Sequence, residues 1–394
     1  MKKSSKRPDD LCPEPVDVPP LPTTSHAPPI FPSTVYRCDD PQQALEMLSG
    51  EVAGHVYSRD GHPNAEMLSE KCRRLHGAQQ AAVTSSGMAA MSLGLFSLLE
   101  AGDHVVFSNQ LYGRSLQLLG QEIPRVGITS TAVDTCDLAA AADAVRDETK
   151  LIVVETITNP MLRVSDIAAL ADIAHGRGAR LLVDNTFASP GIFRPIEHGA
   201  DLVLESVTKI MNGHSDVLLG LLCGPDEAWS RVPTVLSAWG FTAAPLDCWL
   251  ALRGLGTMHL RVERSSANAQ KAAEFLAESE QVQAVHYPGL TGHPDHALAM
   301  RQFGDRHGSM VAFDLAGGRA AAERFIKAAE QIPFCPSLGE LSTTLTHPTT
   351  TSHRGMSAAE RDALGISEGT IRLSVGVESP EQVLSALEEG LRGV

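Results

Sequence analysis

The sequence predicts an α/β protein with a mostly parallel sheet, followed by a smaller carboxyl-terminal α+β domain. Seven short β-rich runs, most of them apolar on both faces, alternate with helical segments such as 164–177, a pattern typical of parallel strands covered by helices. The runs are 81–84, 104–107, 129–133, 151–155, 180–184, 200–205 and 217–223. A long helical stretch, 246–279, follows and is bent near Gly254 and Gly256. After it the spacing changes, which indicates a second domain.

In that second region, short strands at 283–287, 309–315 and 371–377 mix with helices at 319–330 and 380–390. At the other end of the chain, many prolines and no periodicity predict an extended arm over the first 32 residues. We therefore divide the chain into three parts. They are an amino-terminal arm (1–60), a large α/β domain (61–255) and a carboxyl-terminal α+β domain (256–394).

Composition and charge exclude several classes of protein. Of the 394 residues, 43% are hydrophobic, which is typical of a globular chain, and the formal net charge is −15. No basic stripe is present that would bind nucleic acid. The longest apolar run, 217–223, is too short to span a bilayer, and the basic first residues lead into proline-rich sequence rather than a signal peptide. Seven scattered cysteines fit reduced thiols in the cytoplasm.

Polar side chains follow five of the predicted strands at the points where those strands end. Ligands bind at this edge of an open parallel sheet. The segments are Ser85-Ser-Gly-Met88, Leu111-Tyr-Gly113, Thr156 to Pro160, Asp184-Asn-Thr186 and Ser206-Val-Thr-Lys209. We expect them to form one site that contains a helix amino terminus, hydroxyl groups, a tyrosine, an aspartate and a lysine.

These groups suit the parts of a single cofactor. A helix beginning at Gly87 offers free N–H groups to a phosphate, and Ser206 and Thr208 add hydroxyl donors. Asp184 could keep a proton on a ring nitrogen, and Lys209, partly withdrawn from water, could form a Schiff base with an aldehyde. Phosphate, ring nitrogen and aldehyde together describe pyridoxal 5′-phosphate (PLP). Taken singly, each motif has a plainer interpretation as a loop cap, a solvated turn or a turn glycine.

A longer set of motifs extends this pattern along the chain. It comprises Tyr57-Ser-Arg59, Ser85-Ser-Gly-Met88, Leu111-Tyr-Gly113, Glu155-Thr156 with Asn159-Pro160, Val183-Asp-Asn-Thr-Phe-Ala-Ser-Pro190, Ser206-Val-Thr-Lys209 with Asn212-Gly-His214 and Asp216, Tyr287-Pro-Gly-Leu290, and Ile371-Arg-Leu-Ser-Val-Gly-Val-Glu378. In content and order the set resembles the trans-sulfuration family of PLP enzymes. This family includes cystathionine γ-synthase, cystathionine lyases, methionine γ-lyase and acylhomoserine sulfhydrylases. The resemblance implies a PLP-dependent transferase fold of type I.

The resemblance also implies a role for each site residue. Lys209 would carry PLP and later move protons, and Asp184 would pair with the pyridine nitrogen. Tyr112 would stack on the ring and donate or accept a proton, while Asn159 would hydrogen-bond the ring hydroxyl. Arg372 would bind the substrate α-carboxylate. The phosphate would contact Gly87, Met88, Ser206 and Thr208, together with Tyr57 and Arg59 of a neighbouring subunit.

The implied activity is chemistry at Cγ of an amino-acid substrate. We favour γ-elimination on a sulfur amino acid such as L-cystathionine or L-methionine, giving 2-oxobutyrate, ammonia and a thiol. The alternative is γ-replacement on an acylated homoserine, by a cystathionine γ-synthase or an acylhomoserine sulfhydrylase, because the same residues serve both reactions. A site that borrows Tyr57 and Arg59 requires at least a dimer, and the family implies a homotetramer.

Three features depart from the family pattern. Asp60-Gly-His-Pro-Asn64 stands where the family usually has Asn-Pro-Thr shortly after Tyr-Ser-Arg. Arg114 follows Leu-Tyr-Gly where methionine γ-lyases carry cysteine, and it could either meet a distal substrate carboxylate or lie exposed at a helix start. Ser342 stands where lyases often have glutamate, and the threonine-rich segment 349–353 is typical of sulfhydrylases. Ser337 is the expected substrate contact in this part of the chain.

Two other classes stay open at this point. A catalytically silent relative kept as a scaffold is disfavoured by the complete catalytic set. A sugar aminotransferase on the same broad fold is disfavoured by the Tyr57-Ser-Arg59 and Leu111-Tyr-Gly113 motifs. No metal site is expected, because His293 and His296 have suitable spacing but no cluster of further ligands.

Overall fold

The main sheet has the seven strands that the sequence predicts. The computed structural model describes residues 23–394, so the start of the predicted arm, residues 1–22, lies outside it. The strands are β1 (Gln80–Thr84), β2 (His104–Ser108), β3 (Thr129–Val133), β4 (Thr149–Glu155), β5 (Arg180–Asp184), β6 (Leu202–Glu205) and β7 (Gly220–Gly224). Their order is β1-β7-β6-β5-β4-β2-β3, and neighbouring strands are parallel except for the two pairs that include β7. The prediction of a mostly parallel α/β sheet is confirmed.

Strand β7 begins later than predicted, at Gly220 rather than at residue 217. The residues before it belong to the loop that follows β6. There the N–H of Thr208 donates to the carbonyl of Leu219 (3.2 Å), and the N–H of Leu219 donates to Thr208 Oγ1 (3.0 Å). Val217 and Leu219 are apolar because they are buried in this loop, not because they pair in the sheet. The loop reverses the chain, so that β7 runs antiparallel to β6.

Residues 23–394 contain thirteen α-helices, some packed on the faces of this sheet and others on a second sheet in the carboxyl-terminal part. They are α1 (Pro41–Ser49), α2 (Pro63–His76), α3 (Gly87–Leu98), α4 (Gly113–Gln117), α5 (Leu138–Ala144), α6 (Ile167–His175), α7 (Val232–Ala238), α8 (Pro245–Leu255), α9 (Met258–Ala277), α10 (His296–Phe303), α11 (Gly318–Ala328), α12 (Ala358–Ala363) and α13 (Pro380–Arg392). The stretch predicted over 246–279 is divided into α8 and α9 at the expected bend. Within residues 23–394, no helix combines the length and the apolar character needed to cross a membrane.

The carboxyl-terminal part contains a second, four-stranded sheet. Its strands are β8 (Val282–His286), β9 (Met310–Leu315), β10 (Thr344–Thr346) and β11 (Thr370–Ser374), in the antiparallel order β10-β11-β9-β8. Helix α9 contributes to two cores. Its first turns, with Met258 and Val262, pack with the large sheet, whereas Ala269 and Leu276 pack with the second sheet. The domain boundary between residues 255 and 256 stays a prediction.

The described part of the arm, residues 23–60, is tied to the large domain but is not extended throughout. The side chain of Asn64 accepts the N–H of Phe31 (2.8 Å) and donates to the carbonyl of Pro29 (2.9 Å). The indole of Trp249 on α8 donates to the carbonyl of Pro28 (2.8 Å). Further along, helix α1 buries none of its residues. The arm therefore presents an uncovered helix beside the large domain.

Candidate active site

A pocket at the carboxyl ends of the parallel strands brings together most of the predicted site residues. Its lining includes Gly87, Met88, Tyr112, Asn159, Asp184, Ser206, Thr208, Lys209, Ser337 and Arg372. They come from segments that are distant in the sequence, and the two sheets contribute to opposite walls. The segments that follow the parallel strands, which are predicted to lie at one edge of the sheet, thus line a single cavity.

The amino terminus of α3 forms one end of the pocket. Ser86 caps this helix, because its Oγ accepts the N–H of Ala89 (3.1 Å). Gly87 lies so close to Ser206 that a Cβ at position 87 would be 2.9 Å from Ser206 Cβ. The absence of a side chain leaves the first-turn N–H groups accessible to an anion. Thr208 lines the same end, although its hydroxyl already donates to the carbonyl of Leu219 (3.1 Å).

Asp184 ends β5 at the floor of the pocket. Its Oδ1 accepts hydrogen bonds from the N–H (3.0 Å) and the hydroxyl (2.5 Å) of Thr186. Burial raises the pKa of Asp184 to about 6, and the two bonds from Thr186 oppose that rise. A carboxylate held by one oxygen, in a site that disfavours its charge, is suited to a cationic partner such as a protonated ring nitrogen.

Lys209 extends into the pocket from the loop after β6. Its Nζ donates to Ser337 Oγ at 2.9 Å. Burial lowers the pKa of Lys209, the charge of Glu340 opposes this effect, and the charge of Arg372 adds to it. A lysine that loses its proton more easily than usual is suited to act as a nucleophile or a base.

A buried arginine on α9, for which no sequence motif indicates a role, holds the turn that carries Lys209. Arg261 donates to the carbonyls of Ile210 (2.7 Å), Met211 (2.9 Å) and Gly254 (3.0 Å). Because a Cβ at Gly213 would lie 1.9 Å from Arg261 Nη1, the turn must have glycine at that position. Arg261 thus fixes the backbone that immediately follows the lysine.

Arg372 lies on β11 and forms the wall contributed by the second sheet. It is 4% exposed, and its Nη1 donates to Asn159 Oδ1 (2.7 Å) while its Nη2 donates to the carbonyl of Ser337 (3.0 Å). Its Nε has no hydrogen-bond partner among residues 23–394. Burial lowers the pKa of Arg372 to about 10, opposed by the charges of Glu340 and Glu155. A buried guanidinium with a free donor is suited to bind a carboxylate.

Glu155 also lines the pocket, although the sequence analysis assigns it no role beyond its place in a motif. It ends β4 and is 5% exposed, and its Oε1 accepts the backbone N–H of Tyr112 (2.7 Å). Burial and the charge of Asp184 raise the pKa of Glu155 well above its usual range. In the sequence, Glu155 stands at the end of a predicted strand. That position indicates where an apolar run ends but does not by itself indicate a role in the site.

Three predicted residues lie outside this pocket. Tyr57 and Arg59 line a separate, open depression together with Trp239, and the Arg59 guanidinium carbon is 5.1 Å from the centroid of the Tyr57 ring. Arg114 is exposed, and its guanidinium donates to Gln117 Oε1 (2.6 Å) on its own helix. Within one chain, Arg114 therefore has the environment of an exposed arginine at a helix start, and its substrate contact stays a prediction.

These residues fit PLP. The N–H groups at the start of α3, around Gly87, suit its phosphate, Asp184 suits its ring nitrogen, and Lys209 suits its aldehyde. The site has the composition of a PLP-dependent enzyme that acts on a carboxylate-bearing substrate.

Comparison with known proteins agrees with this class. Residues 17–392 match the family model described as Cys/Met metabolism PLP-dependent enzyme. The chain is 37% identical to an L-methionine gamma-lyase of Fusobacterium nucleatum subsp. polymorphum, over 93% of each chain. It is 38% identical to an O-succinylhomoserine sulfhydrylase of Pseudomonas aeruginosa, over 94% of this chain and 92% of the relative.

Solved structures of similar fold include a cystathionine gamma synthase of Xanthomonas oryzae pv. oryzae in complex with cystathionine. Its TM-score is 0.88 at 37% identity, with 93% of this chain and 92% of that chain covered. A putative O-acetylhomoserine (thiol)-lyase of Campylobacter jejuni, with a TM-score of 0.90 at 26% identity over 93% and 96% of the two chains, carries a pyridoxyl-lysine phosphate. The chain belongs to the family of PLP-dependent enzymes of cysteine and methionine metabolism. The predictions of the family, of fold type I and of PLP as the cofactor are confirmed.

The raised pKa of Asp184 predicts a pH dependence of PLP binding. Because this pKa is about 6, the carboxyl group is ionised above that pH and neutral below it, and only the ionised form attracts a protonated ring nitrogen. In a Lys209→Ala background, which removes titration of the lysine, Asp184 should contribute a rise in the Kd for PLP of about tenfold per pH unit below pH 6, in addition to any dependence that comes from the PLP phosphate. Fluorescence or equilibrium dialysis would measure this Kd.

The matched control is Lys209→Ala combined with Asp184→Asn. That protein should retain only the pH dependence of the PLP phosphate, whose second pKa is about 6. Equal slopes in the two proteins would show that Asp184 does not titrate in contact with the cofactor.

Proposed function

We propose that this protein is a carbon–sulfur lyase that carries out γ-elimination on a sulfur amino acid such as L-cystathionine or L-methionine. The products are 2-oxobutyrate, ammonia and a thiol, and one water is consumed for each substrate. The observation that carries the proposal is the joint contact at Ser337. Lys209 Nζ bonds its hydroxyl at 2.9 Å and Arg372 Nη2 bonds its carbonyl at 3.0 Å. Lys209, the proposed base, and Arg372, the proposed binding group for the substrate carboxylate, therefore both contact the same residue of the pocket wall.

PLP, when bound, stabilises negative charge that develops on the substrate carbon. Arg372 would bind the α-carboxylate through two donors and so orient the Cα–H bond toward Lys209. Lys209 would accept the α-proton, and its lowered pKa helps it to act as a base near neutral pH. Asp184 would keep the ring nitrogen protonated. Asn159, whose Oδ1 is occupied by Arg372, would offer its Nδ2 donor to the ring hydroxyl.

Tyr112 would supply the proton that the departing sulfur needs. Its side chain lines the pocket and is 42% exposed, so the phenol is free to face a substrate at Cγ. The thiolate leaves as a thiol once it accepts that proton.

The second candidate is γ-replacement on an acylated homoserine. It is favoured by Ser352, which lies in the lining beside Tyr112 and belongs to the threonine-rich segment. The carbonyl of Ser352 packs so tightly against Gly113 that a Cβ there would approach it to 2.5 Å. Ser342, by contrast, is exposed and outside the lining.

We further propose a cytoplasmic homotetramer in which active sites are shared between subunits. Tyr57 and Arg59 are exposed and line a depression separate from the pocket of their own chain, so they are available to the phosphate end of a neighbour's site. The exposed apolar side chains of Leu45, Leu48 and Trp239 near them suit a covered surface. The cysteines in the described part of the chain are unpaired, as in a reducing compartment.

The substrate is tested with PLP-loaded enzyme and product analysis by mass spectrometry. L-Cystathionine should yield 2-oxobutyrate with cysteine, and L-methionine should yield it with methanethiol. Arg372→Leu should lower kcat/KM by about 100-fold, because a bidentate charge-assisted contact is lost. Arg264→Leu, which removes an exposed arginine on α9 that does not line the pocket, should stay near the wild-type value. An enzyme that consumes only acylated homoserine, and only with a thiol, would move the assignment to γ-replacement.

Site sharing is tested by mixing two inactive variants, Lys209→Ala and the double variant Tyr57→Phe with Arg59→Ala. If each site takes its phosphate contacts from the partner, mixed dimers have one intact site. Random exchange at equal amounts then restores about a quarter of wild-type activity, because half of the dimers are mixed and each has one working site. Activity that stays at the level of the separate variants after confirmed subunit exchange would contradict the shared site.

A further inference from the structure

Glu155 has no part in the chemistry proposed above, yet its carboxyl group is buried in the wall of the pocket. It is the last residue of β4 and pairs in register with Asp184 on β5. Burial of a carboxyl group costs free energy unless hydrogen bonds compensate for lost water. Two acidic groups side by side add to that cost. A residue kept at this position therefore needs a compensating contact.

The main contact is with the backbone of Tyr112, and the backbone N–H of Asn159 lies near enough to add a smaller favourable interaction. Glu155 Oε1 accepts the Tyr112 N–H at 2.7 Å, and its Oε2 has no hydrogen-bond partner among residues 23–394. The backbone of Glu155 is itself held, since Ser165 Oγ donates to its carbonyl at 2.7 Å. The accepting carboxyl group thus belongs to β4, an interior strand of the sheet, whereas Tyr112 lies in the loop between β2 and α4.

Tyr112 has few other constraints on its position. It precedes α4, a helix of five residues that begins without a side-chain cap. Its ring is 42% exposed, so packing does not fix it. From the other side, Gly113 presses against the carbonyl of Ser352, where a Cβ would have no room. The hydrogen bond to the carboxyl group of Glu155 and the close packing of Gly113 against Ser352 therefore both restrict the backbone at Tyr112.

We propose that Glu155 is a positioning residue that fixes Tyr112 against the bound cofactor by accepting its backbone N–H. This inference rests on the proposed role of Tyr112 at the cofactor ring. It assigns Glu155 no contact with substrate and no proton transfer. Most of its effect on PLP binding should pass through Tyr112, which makes that effect separable from a general loss of stability.

A double-mutant cycle on the Kd for PLP tests the proposal. Glu155→Met, which keeps side-chain length but removes the acceptor, should raise the Kd about tenfold, the effect of losing one hydrogen bond to a buried carboxyl oxygen. Glu155→Gln, which keeps an acceptor oxygen, should stay within about threefold. In a Tyr112→Ala background, Glu155→Met should add less than about threefold, because the ring that it positions is gone.

Glu205 provides the matched control. It ends β6, which is separated from β4 by β5, and it is 1% exposed. Its Oε1 accepts a hydrogen bond from Asn185 Nδ2 (2.9 Å), and its Oε2 likewise has no partner in the described chain. It does not line the pocket. Glu205→Met should lower thermal stability yet leave the Kd for PLP and the visible circular dichroism of bound PLP unchanged.

Three results would overturn the proposal. They are equal effects of Glu155→Met with and without Tyr112, a Glu205→Met protein that loses PLP to the same degree, and fast hydrogen exchange of the Tyr112 amide in the wild type. The exchange measurement needs no variant and decides the question if Glu155→Met does not fold. PLP affinity also needs no turnover, so a wild-type enzyme that binds PLP but fails to cleave sulfur amino acids would refute the proposed function and leave this inference intact.

Discussion

The burial of the Lys209 amine is the constraint on which the rest of the site depends. An ammonium group removed from water is unstable unless partners accept its protons or the group becomes neutral. The pocket does both, since Ser337 accepts one bond and burial lowers the pKa of the lysine. The backbone after Lys209 is held by Arg261, which donates hydrogen bonds to the carbonyls of the next two residues. The amine of Lys209 is thus desolvated by the pocket, and its position is held because the buried guanidinium of Arg261 stabilises the turn that follows it.

The other charged groups form a connected frame around that lysine. Arg372 joins Asn159 to the backbone of Ser337, and so links the end of the large sheet to the second sheet. Asp184 and Glu155 lie side by side at the ends of adjacent strands, but each is bonded to a different loop. Buried charges of this kind contribute little to stability by themselves. Their free donors and acceptors instead prepare the pocket for a ligand that carries a phosphate, a ring nitrogen and a carboxylate.

Much of this arrangement could be predicted from the sequence, because its signals are local. Apolar runs locate the strands, and the residues that follow parallel strands must meet at one edge, which brought Asp184 and Lys209 together correctly. Other features had no local signal. Strand β10 is short and rich in threonine, and Arg261 lies inside an ordinary helix, so its contacts arise only from tertiary packing. The positions of Tyr57 and Arg59 could be predicted only through family resemblance, since their proposed ligand belongs to another subunit.

The most direct test of this account is to locate the lysine that carries the cofactor. PLP-loaded protein is reduced with borohydride, digested, and mapped by mass spectrometry, with Lys209→Ala as the parallel control. The account predicts a pyridoxyl phosphate group on the peptide that contains Lys209 and none on any peptide of the variant. A modified lysine elsewhere in the wild-type chain, or the same yield of modified peptide from the variant, would contradict it.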